Sequence, residues 1–372
     1  MKQKALLLLA LGVAVILSGC SGGVRPTGWT NLIVDEDTVY AADVDQVRVL
    51  DAATGAVSWA FPPEADLRTY GPFYTVARDG NTLLVTANER SGSGLFARPP
   101  RGVLRALDIE SRQIRWEFRD TGGDFVVPGA VTDGLLVIGN GDGCVYALHV
   151  EDGSLVWTFP TAERVWATPL IFSDTVYIAS LDHTLYALDL TTGRERWRFE
   201  AGGALVSTPA AQDGTLYVGS FDNSIYALDA ATGAERWRFN GQNWFWGTPV
   251  ISGTVLYAAD VGGNVYALDT TNQQALWQVN VGESVRLGPA LSEDGGKLLI
   301  AGADSRAGAL YGLDTSDGFI VWEQPAEGQL GSMAVRGPVV YVSRILGSAS
   351  LQAYYIENGR PVWSYPPPEA GQ

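Results

Sequence analysis

The stretch Ala227-Leu-Asp-Ala-Ala-Thr-Gly-Ala-Glu-Arg-Trp237 recurs in imperfect copies along most of the chain. Each copy ends at a tryptophan, and successive tryptophans are 57, 41, 40, 40, 40, 45 and 41 residues apart. They are Trp59, Trp116, Trp157, Trp197, Trp237, Trp277, Trp322 and Trp363. A period near forty with four short strand patterns per copy is typical of a β-propeller blade. The sequence therefore predicts an all-β fold, an eight-bladed β-propeller with four antiparallel strands per blade.

The residues of the pattern have separate physical roles. Asp229 can accept hydrogen bonds from the N–H groups of the turn that follows it, and Gly233 can adopt the positive φ of a tight reversal. The tryptophan comes at one place in each copy, where its large ring can fill the wedge between neighbouring blades. Ala227 is small enough to leave room for that packing.

The fifth copy shows the expected strands most clearly. Turn signals stand at Asp213-Gly214 and Asp222-Asn223. If each blade takes all four strands from its own copy, the ring closes by packing blade eight against blade one, without an exchanged strand. The four strands predicted for this blade span residues 206–211, 215–220, 224–229 and 235–239.

Four copies depart from the pattern and are expected to pack less regularly. Arg112 replaces the glycine of the second copy, His149 replaces the aspartate of the third, and Tyr355 replaces the aspartate of the eighth. The sixth copy has Asn272-Gln273 in place of Thr-Gly. Because asparagine tolerates positive φ, we expect that turn to shift by one residue.

The N-terminus has the features of an export signal. Lys2 and Lys4 precede an apolar run that ends in Leu17-Ser-Gly-Cys20, which resembles a bacterial lipobox. Residues 1–20 are predicted to be a lipoprotein signal peptide that is cleaved before Cys20, whose sulfur is lipidated. The alternatives are a plain secretory signal and a retained anchor. Residues 21–28 form a tether of at most about 26 Å, and residues 29–368 form the propeller.

Composition agrees with an exported globular chain. The sequence has 41 Asp and Glu against 25 Lys and Arg, and removal of Lys2 and Lys4 takes the formal net charge from −16 to −18. Such a charge repels nucleic acid, so no nucleic-acid partner is expected. Cys144 is the one cysteine besides Cys20. Because Cys20 is expected to be acylated, no intrachain disulfide is predicted, and Cys144 is interpreted as a small buried residue.

The repeated Ala-x-Asp-x-x-Thr-Gly-x-x-x-Trp pattern resembles the tryptophan-docking motif of the quinoprotein (PQQ-like) eight-bladed propellers. This resemblance covers nearly the whole mature chain. One branch of the family consists of dehydrogenases that hold pyrroloquinoline quinone and calcium. The other consists of non-enzymatic lipoproteins similar to BamB, an assembly factor for β-barrel outer-membrane proteins.

The dehydrogenase branch is the less favoured alternative. The resemblance implies vicinal cysteines at the quinone, and this chain has no Cys-Cys pair. His149 and His183 fall at repeat positions, which favours structural roles. The oxygen-rich segments 35–37 and 140–143 stand where other copies have turns, so turns are favoured over calcium sites. We therefore predict no catalytic residues, no metal and no cofactor.

Longer loops supply the candidate partner-binding residues. An insertion over residues 88–102 lengthens the second copy, and residues 305–308 and 344–350 form longer loops of the same class in blades seven and eight. Such loops often bind partners, although a tolerated insertion is an equal alternative. The same loop class implies the same face, where basic residues can meet an acidic partner. The candidates are Arg90, Phe96, Arg98, Arg101, Arg306 and Arg344.

Three tryptophans outside the repeated pattern share a second position. Trp29, Trp166 and Trp246 stand just ahead of the first strand of blades one, four and six, and Arg286 has the equivalent place in blade seven. Because the first strand lines the central channel of a propeller, these residues are expected at one channel mouth. There they could contact a peptide or a sugar. The alternative is that they plug the channel or pack between blades.

Together these features predict a monomeric, lipid-anchored, non-catalytic scaffold that binds protein partners in the cell envelope. In a diderm organism it would face the periplasm from the outer membrane, and otherwise it would lie on the outer face of the cytoplasmic membrane. Resemblance to the BamB-like branch implies a part in assembling β-barrel proteins. The alternatives are a quinone-dependent dehydrogenase and a propeller that binds carbohydrate or peptide.

Overall fold

The fold consists of eight four-stranded antiparallel sheets, each built from four consecutive strands. It is seen in a computed structural model that describes residues 31–89, 101–303, 307–344 and 350–367. The predicted all-β class and the eight blades are confirmed. Within these ranges, no helix is long and apolar enough to cross a bilayer.

The first four blades contain strands β1 to β16. Blade one has β1 (Leu32–Asp35), β2 (Thr38–Asp43), β3 (Gln46–Asp51) and β4 (Val57–Phe61). Blade two has β5 (Phe73–Asp79), β6 (Thr82–Glu89), β7 (Arg101–Asp108) and β8 (Ile114–Phe118). Blade three has β9 (Ala130–Thr132), β10 (Leu135–Gly139), β11 (Cys144–His149) and β12 (Leu155–Pro160). Blade four has β13 (Leu170–Phe172), β14 (Thr175–Ala179), β15 (Thr184–Asp189) and β16 (Glu195–Glu200).

The last four blades contain strands β17 to β32. Blade five has β17 (Ala210–Gln212), β18 (Thr215–Gly219), β19 (Ser224–Asp229) and β20 (Glu235–Asn240). Blade six has β21 (Val250–Ser252), β22 (Val255–Ala259), β23 (Asn264–Asp269) and β24 (Gln274–Asn280). Blade seven has β25 (Ala290–Leu291), β26 (Lys297–Ala303), β27 (Ala307–Asp314) and β28 (Ile320–Glu327). Blade eight has β29 (Leu330–Arg336), β30 (Val339–Arg344), β31 (Leu351–Tyr355) and β32 (Pro361–Tyr365).

Strand direction divides the loops between two faces. Because consecutive strands are antiparallel, the start of the first strand, the second-to-third hairpin and the end of the fourth strand share one face of the ring. We call this the loop face. The other face carries the first-to-second and third-to-fourth turns. In blades two and seven the hairpin strands that reach the loop face are seven or eight residues long, against five or six in blades three to five.

The hydrophobic core lies between the blades. The buried apolar side chains form eight clusters, and each cluster combines residues of two adjacent blades. One of them joins Leu32 and Val39 of blade one to Tyr341 and Leu351 of blade eight. The ring is therefore closed by packing between the first and last blades, with no exchanged strand among the described sheets.

A tryptophan of the repeated pattern lies in each of these eight seams. Six of the indole N–H groups donate to a backbone carbonyl of the next blade over 2.8–3.1 Å, as Trp197 does to Ala230. The ring also covers the turn glycine of that blade. A Cβ added to Gly233 would lie 2.5 Å from the ring of Trp197. The glycine is therefore required by this close contact as well as by its φ of 73°.

Two blades build the same turn without glycine. Gln273 has a φ of 61°, and its N–H donates to the Asp269 carbonyl over 2.7 Å, just as Gly233 donates to Asp229 over 2.8 Å. The expected one-residue shift of the sixth turn is therefore wrong, because Gln273 itself adopts the left-handed conformation. Arg112 does the same in blade two, with a φ of 59°.

The strands of blade five agree with the sequence in three of four cases. The first strand is the exception, since it spans Ala210–Gln212 and not residues 206–211. Residues 206–209 instead form the loop that reaches the central axis. The Ser207 hydroxyl accepts a hydrogen bond from the Gly219 N–H over 3.3 Å, which ties this loop to the neighbouring strand.

Candidate functional site

The candidate site is the mouth of the central channel on the loop face. In blades three to seven, the segment ahead of the first strand begins with an apolar residue that is fully buried, such as Val165 or Phe245. In blades four, five and six its N–H donates to a backbone carbonyl of the preceding second-to-third hairpin, as Phe245 does to Ser220 over 3.1 Å. Because this residue is anchored, the next residue of each segment is held at the axis. These next residues are Val126, Trp166, Val206, Trp246 and Arg286.

These five side chains line one cavity of about 160 Å³, which we call the axial cavity. Trp166, Trp246 and Arg286 are therefore brought together, as their shared repeat position suggested. Trp29 lies outside the described residues. Threonines two positions further along also line the cavity in blades four, five and six: Thr168, Thr208 and Thr248.

Hydrogen-bond donors predominate in the axial cavity. The indole N–H of Trp166 is buried and has no hydrogen-bond partner within the described part of the chain. The exposed Arg286 guanidinium lies 5.7 Å from the centroid of the Trp246 ring, and it forms no ion pair with a described residue. Among the residues that the structure describes, no aspartate or glutamate lines the cavity. Its electrostatic character is therefore opposite to that of the acidic chain as a whole.

A stack of aromatic rings continues from the axial cavity onto the surface. Phe221 lies between Trp244 and Trp246, with ring centroids 5.0 Å and 5.2 Å away. Trp244 is 50% exposed. Arg164 adds a second cation, 5.7 Å from the centroid of the Trp166 ring. We call Arg164, Phe221, Trp244, Trp246 and Arg286 the mouth patch.

Sequence reasoning missed two members of the mouth patch. Phe221 lies in the hairpin between β18 and β19, where blades three, four and six have Gly141, Leu181 and Val261. Alignment of the copies would have shown the aromatic substitution, but not that the hairpin of blade five meets the mouth segment of blade six. Arg164 was missed for the same reason, because its contact with Trp166 is seen only in three dimensions.

A buried ion-pair network lies at the base of the blade-two insertion. Arg105 is fully buried and bonds Glu89 and Glu117, and Arg119 bonds the same two carboxylates. Burial acts to raise the pKa of Glu117, but hydrogen bonds from Arg119 and Arg105 outweigh it and the pKa is lowered. The network joins the last residue of β6 to the middle of β7 and to the end of β8. Arg101, the first residue of β7, is exposed.

The other predicted partner-binding residues have different outcomes. Arg344 is 6% exposed, and its guanidinium donates to the Tyr354 hydroxyl over 3.2 Å. The expectation that Arg344 offers a surface charge is therefore wrong, since the end of β30 turns it inward against β31. Five other predicted site residues lie outside the described residues: Cys20, Arg90, Phe96, Arg98 and Arg306.

The oxygen-rich segments form turns. Asn140 Oδ1 accepts from the Asp142 N–H over 3.0 Å, and Asp142 accepts from the Cys144 N–H and the Tyr146 hydroxyl. Asp35 forms an ion pair with Arg78. Among the residues that the structure describes, no three His, Cys, Asp or Glu side chains are grouped to hold a metal ion. The axial cavity likewise lacks the carboxylates that a calcium ion would need, so its lining does not fit a calcium-quinone centre.

Comparison of the sequence with protein families gives one clear relationship. The family model described as outer membrane protein assembly factor BamB matches residues 21–127, 100–207, 182–286 and 261–371. BamB of Yersinia pestis is 29% identical over 122 residues. That alignment covers 32% of this chain and 29% of the relative, so the similarity spans less than a third of its length.

Solved structures with a similar fold include the following three. The computationally designed protein Ika8 has a TM-score of 0.72 at 14% identity, covering 87% of this chain and 95% of its own. BamB from Moraxella catarrhalis has a TM-score of 0.66 at 19% identity, covering 85% and 91%. A europium-containing methanol dehydrogenase has a TM-score of 0.65 at 14% identity, covering 79% of each chain. At these identities the likeness concerns the fold alone.

Proposed function

Because the chain belongs to the family of the outer-membrane protein assembly factor BamB, we propose that it is a non-catalytic scaffold that binds protein partners during outer-membrane protein assembly. The propeller supplies a rigid ring, and the loops and the channel mouth are its variable surface. The partners proposed are subunits of a barrel-assembly complex. No step of the proposed function requires a cofactor.

The mouth patch is the observation that carries this proposal. Tryptophan and arginine predominate among the residues that contribute most to binding at protein interfaces. Here three aromatic rings stack in contact, with one arginine at Trp246 and another at Trp166. Trp244 exposes half of its surface beside the stacked ring of Phe221, so this ring is available to a partner. An acidic or aromatic segment would complement these residues.

The predicted long loops are proposed to extend this surface. The hairpins of blades two and seven reach the same face as the mouth patch and are longer than those of blades three to five. Arg101 is exposed at the base of the blade-two loop, and Arg90, Phe96, Arg98 and Arg306 are proposed to contribute from the loops. Their positive charges would attract an acidic partner, although the propeller as a whole is acidic.

The proposal includes an anchor and a location. Cys20 is proposed to carry the lipid, and residues 21–28 to hold the propeller near the membrane surface. The propeller would then face the periplasm from the outer membrane, or lie outside the cytoplasmic membrane where no outer membrane exists. Metabolic labelling with an alkyne fatty acid should label the chain, and Cys20→Ala should abolish the label. Equal labelling of both would refute the anchor.

Site-specific photo-crosslinking tests the binding surface. A benzophenone amino acid placed at Trp244 should crosslink to a barrel-assembly subunit in intact cells, as identified by mass spectrometry. Phe319 provides a matched control, because it is also an exposed aromatic residue (67%) but lies in a third-to-fourth turn on the opposite face. Crosslinks to the same subunits from both positions, or from neither, would argue against the mouth patch as the docking surface.

A further inference from the structure

The axial cavity contains a buried donor that the fold leaves unused. The indole N–H of Trp166 is buried without a partner among the described residues, although six of the seam tryptophans donate to a carbonyl. A buried polar group without a partner costs free energy, and such groups are rare in native structures. Because Trp166 also lines the axial cavity, this unused donor points to an acceptor brought from outside.

Other lining residues also donate. Arg286 has five guanidinium N–H groups and forms no ion pair within the described ranges. The hydroxyls of Thr168, Thr208 and Thr248 make no hydrogen bond to described residues and can donate as well. The guanidinium is the strongest of these donors, because planar N–H pairs match the two oxygens of a carboxylate.

Acidic groups are missing from the same lining. The chain has 41 acidic residues, yet none of those in the described ranges lines the axial cavity. An anion would therefore meet a cation and neutral donors there without direct repulsion. The remaining walls are apolar, formed by Val126, Val206 and the tryptophan rings. A few polar groups among apolar walls are typical of a small-molecule site.

The size of the cavity limits what can enter. Its volume of about 160 Å³ is close to that of an engineered protein cavity of about 150 Å³ that binds benzene. One ring or a short branched chain therefore fits, with the charged group directed at the donors. A fused multi-ring compound is too large for this volume.

We propose that the axial cavity binds a carboxylate carried on a small apolar body, with Arg286 and the Trp166 N–H as donors and the valines in contact with the body. The carboxylate could belong to a free organic acid or to the C-terminus of a peptide. The inference does not depend on the mouth patch binding a protein, since a free acid would occupy the cavity in either case.

Titration of the full chain in detergent micelles with benzoate and benzamide tests the charge requirement. The two probes have nearly the same shape, but benzamide is neutral. We expect benzoate to bind about tenfold more tightly in calorimetry, as a charge-assisted hydrogen bond implies. Equal affinities, or no binding of either probe, would overturn the proposal.

Variants test the two donors. Arg286→Gln should weaken benzoate binding by about fivefold or more and benzamide binding less, whereas Trp166→Phe should weaken the binding of both probes, because the benzamide oxygen also accepts a hydrogen bond. Phe319→Leu, on the opposite face, should leave both affinities unchanged. Circular dichroism and the melting temperature show whether each variant is folded. Unchanged benzoate affinity in a folded Arg286→Gln variant would also overturn the proposal.

Peptides distinguish the two sources of the carboxylate. A short peptide ending in phenylalanine with a free C-terminus should displace benzoate if the natural ligand is a chain terminus, and its C-terminal amide should not. If neither peptide displaces benzoate, the site takes a free small acid. Photo-crosslinking at Trp244 reports on the protein partner separately, so failure of either experiment leaves the other interpretable.

Discussion

At the scale of single residues, the turn glycine of the repeated pattern meets two independent requirements. Gly233 has a φ of 73°, in the left-handed region, and the Trp197 ring leaves no space for a Cβ. Gly214 has nearly the same φ, 71°, but a Cβ there would meet no atom within 4 Å. Comparison of the two glycines therefore distinguishes the cost of backbone strain from the cost of steric contact within one blade.

Replacing these glycines by alanine should have unequal effects. We expect Gly214→Ala to lower the free energy of unfolding by about 1 kcal/mol, which is the cost of a left-handed alanine. Gly233→Ala should cost about 1–3 kcal/mol more, because the Trp197 ring must move. Denaturant unfolding of both variants measures the difference. Equal decreases in the free energy of unfolding would mean that the contact with the Trp197 ring is unimportant.

A tyrosine of the third strand is held by the hairpin aspartate in blades three to six. The Tyr186 hydroxyl donates to Asp182 over 2.8 Å. Burial, followed by the hydrogen bond and the charge of Asp182, raises the pKa of Tyr186 to about 12. Since the folded pKa exceeds the ordinary value near 10, neutral Tyr186 stabilises the fold below about pH 10 and this contribution is lost as the pH rises toward 12.

Asp182→Asn should lower the pKa of Tyr186, because it removes the nearby negative charge. Titration of ¹³C-labelled tyrosine by NMR, with Tyr186→Phe for assignment, measures the change. The alkaline loss of stability should still begin near pH 10, where the unfolded tyrosine titrates, but it should be smaller and end at a lower pH than in the unmodified protein. Asp213→Asn, on the opposite face, is the control. A Tyr186 pKa that stays near 12 in Asp182→Asn would show that burial alone is responsible.

At the scale of the element, the third-to-fourth turn keeps one geometry with three different residues. Gly233, Arg112 and Gln273 all have positive φ, between 59° and 73°. The bond from this N–H to the aspartate carbonyl four residues earlier is kept in each. The preceding aspartate side chain receives N–H groups of the same turn, as Asp269 does from Asn272 over 3.0 Å. The strand register therefore determines the turn, because blades three and eight keep the same bond with His149 and Tyr355 in place of the aspartate.

Restoring glycine should stabilise these two turns to different extents. Gln273→Gly should raise the free energy of unfolding by about 1 kcal/mol, since strain is relieved and no contact with the ring is lost. Arg112→Gly should gain less, because the Arg112 guanidinium lies 5.9 Å from the Trp59 ring centroid and this contact is worth about 0.5–1 kcal/mol. Thermal unfolding of both variants gives the comparison. A loss of stability in Gln273→Gly would contradict the strain argument.

At the scale of the whole molecule, the blades depend on their neighbours. The apolar clusters lie between blades, and the closing seam has the same design as an internal one. Trp363 and Tyr341 both donate to the Ala52 carbonyl, and Trp197 and Tyr177 both donate to the Ala230 carbonyl. The seam between blades eight and one should therefore contribute as much as the seam between blades four and five.

Removing one indole N–H from each seam tests this equivalence. Trp363→Phe and Trp197→Phe should each lower the free energy of unfolding by about 1–2 kcal/mol, since each removes one hydrogen bond and part of a buried ring. Trp244→Phe, at an exposed tryptophan, should have little effect. Hydrogen exchange would locate the loss at the affected seam. A lower free energy of unfolding in Trp197→Phe but not in Trp363→Phe would indicate that this contact does not close the ring of blades.

Much of the fold was predictable because one pattern is repeated eight times. The period of forty and the aspartate, glycine and tryptophan positions indicated the blades, the hairpins and the closure without a strand exchange. The repeat position of Trp166, Trp246 and Arg286 also indicated one channel mouth. Phe221 could not be placed, because it contacts the mouth segment of a different blade, and the contact of Arg164 with Trp166 depends on the backbone conformation of their own segment. Arg344 was misjudged because it was assigned to a loop, whereas β30 extends through it.

The sequence by itself determined the number of blades and their order, since hydrophobic periodicity and turn chemistry are local and recur in every copy. Only the tertiary structure decided which donors remain unpaired at the axis, because that depends on how five blades bring their mouth segments together. It also decided that the turn glycine must leave room for the ring of a tryptophan from the preceding blade. Contacts between copies depend on the closed ring, and no single copy contains that information.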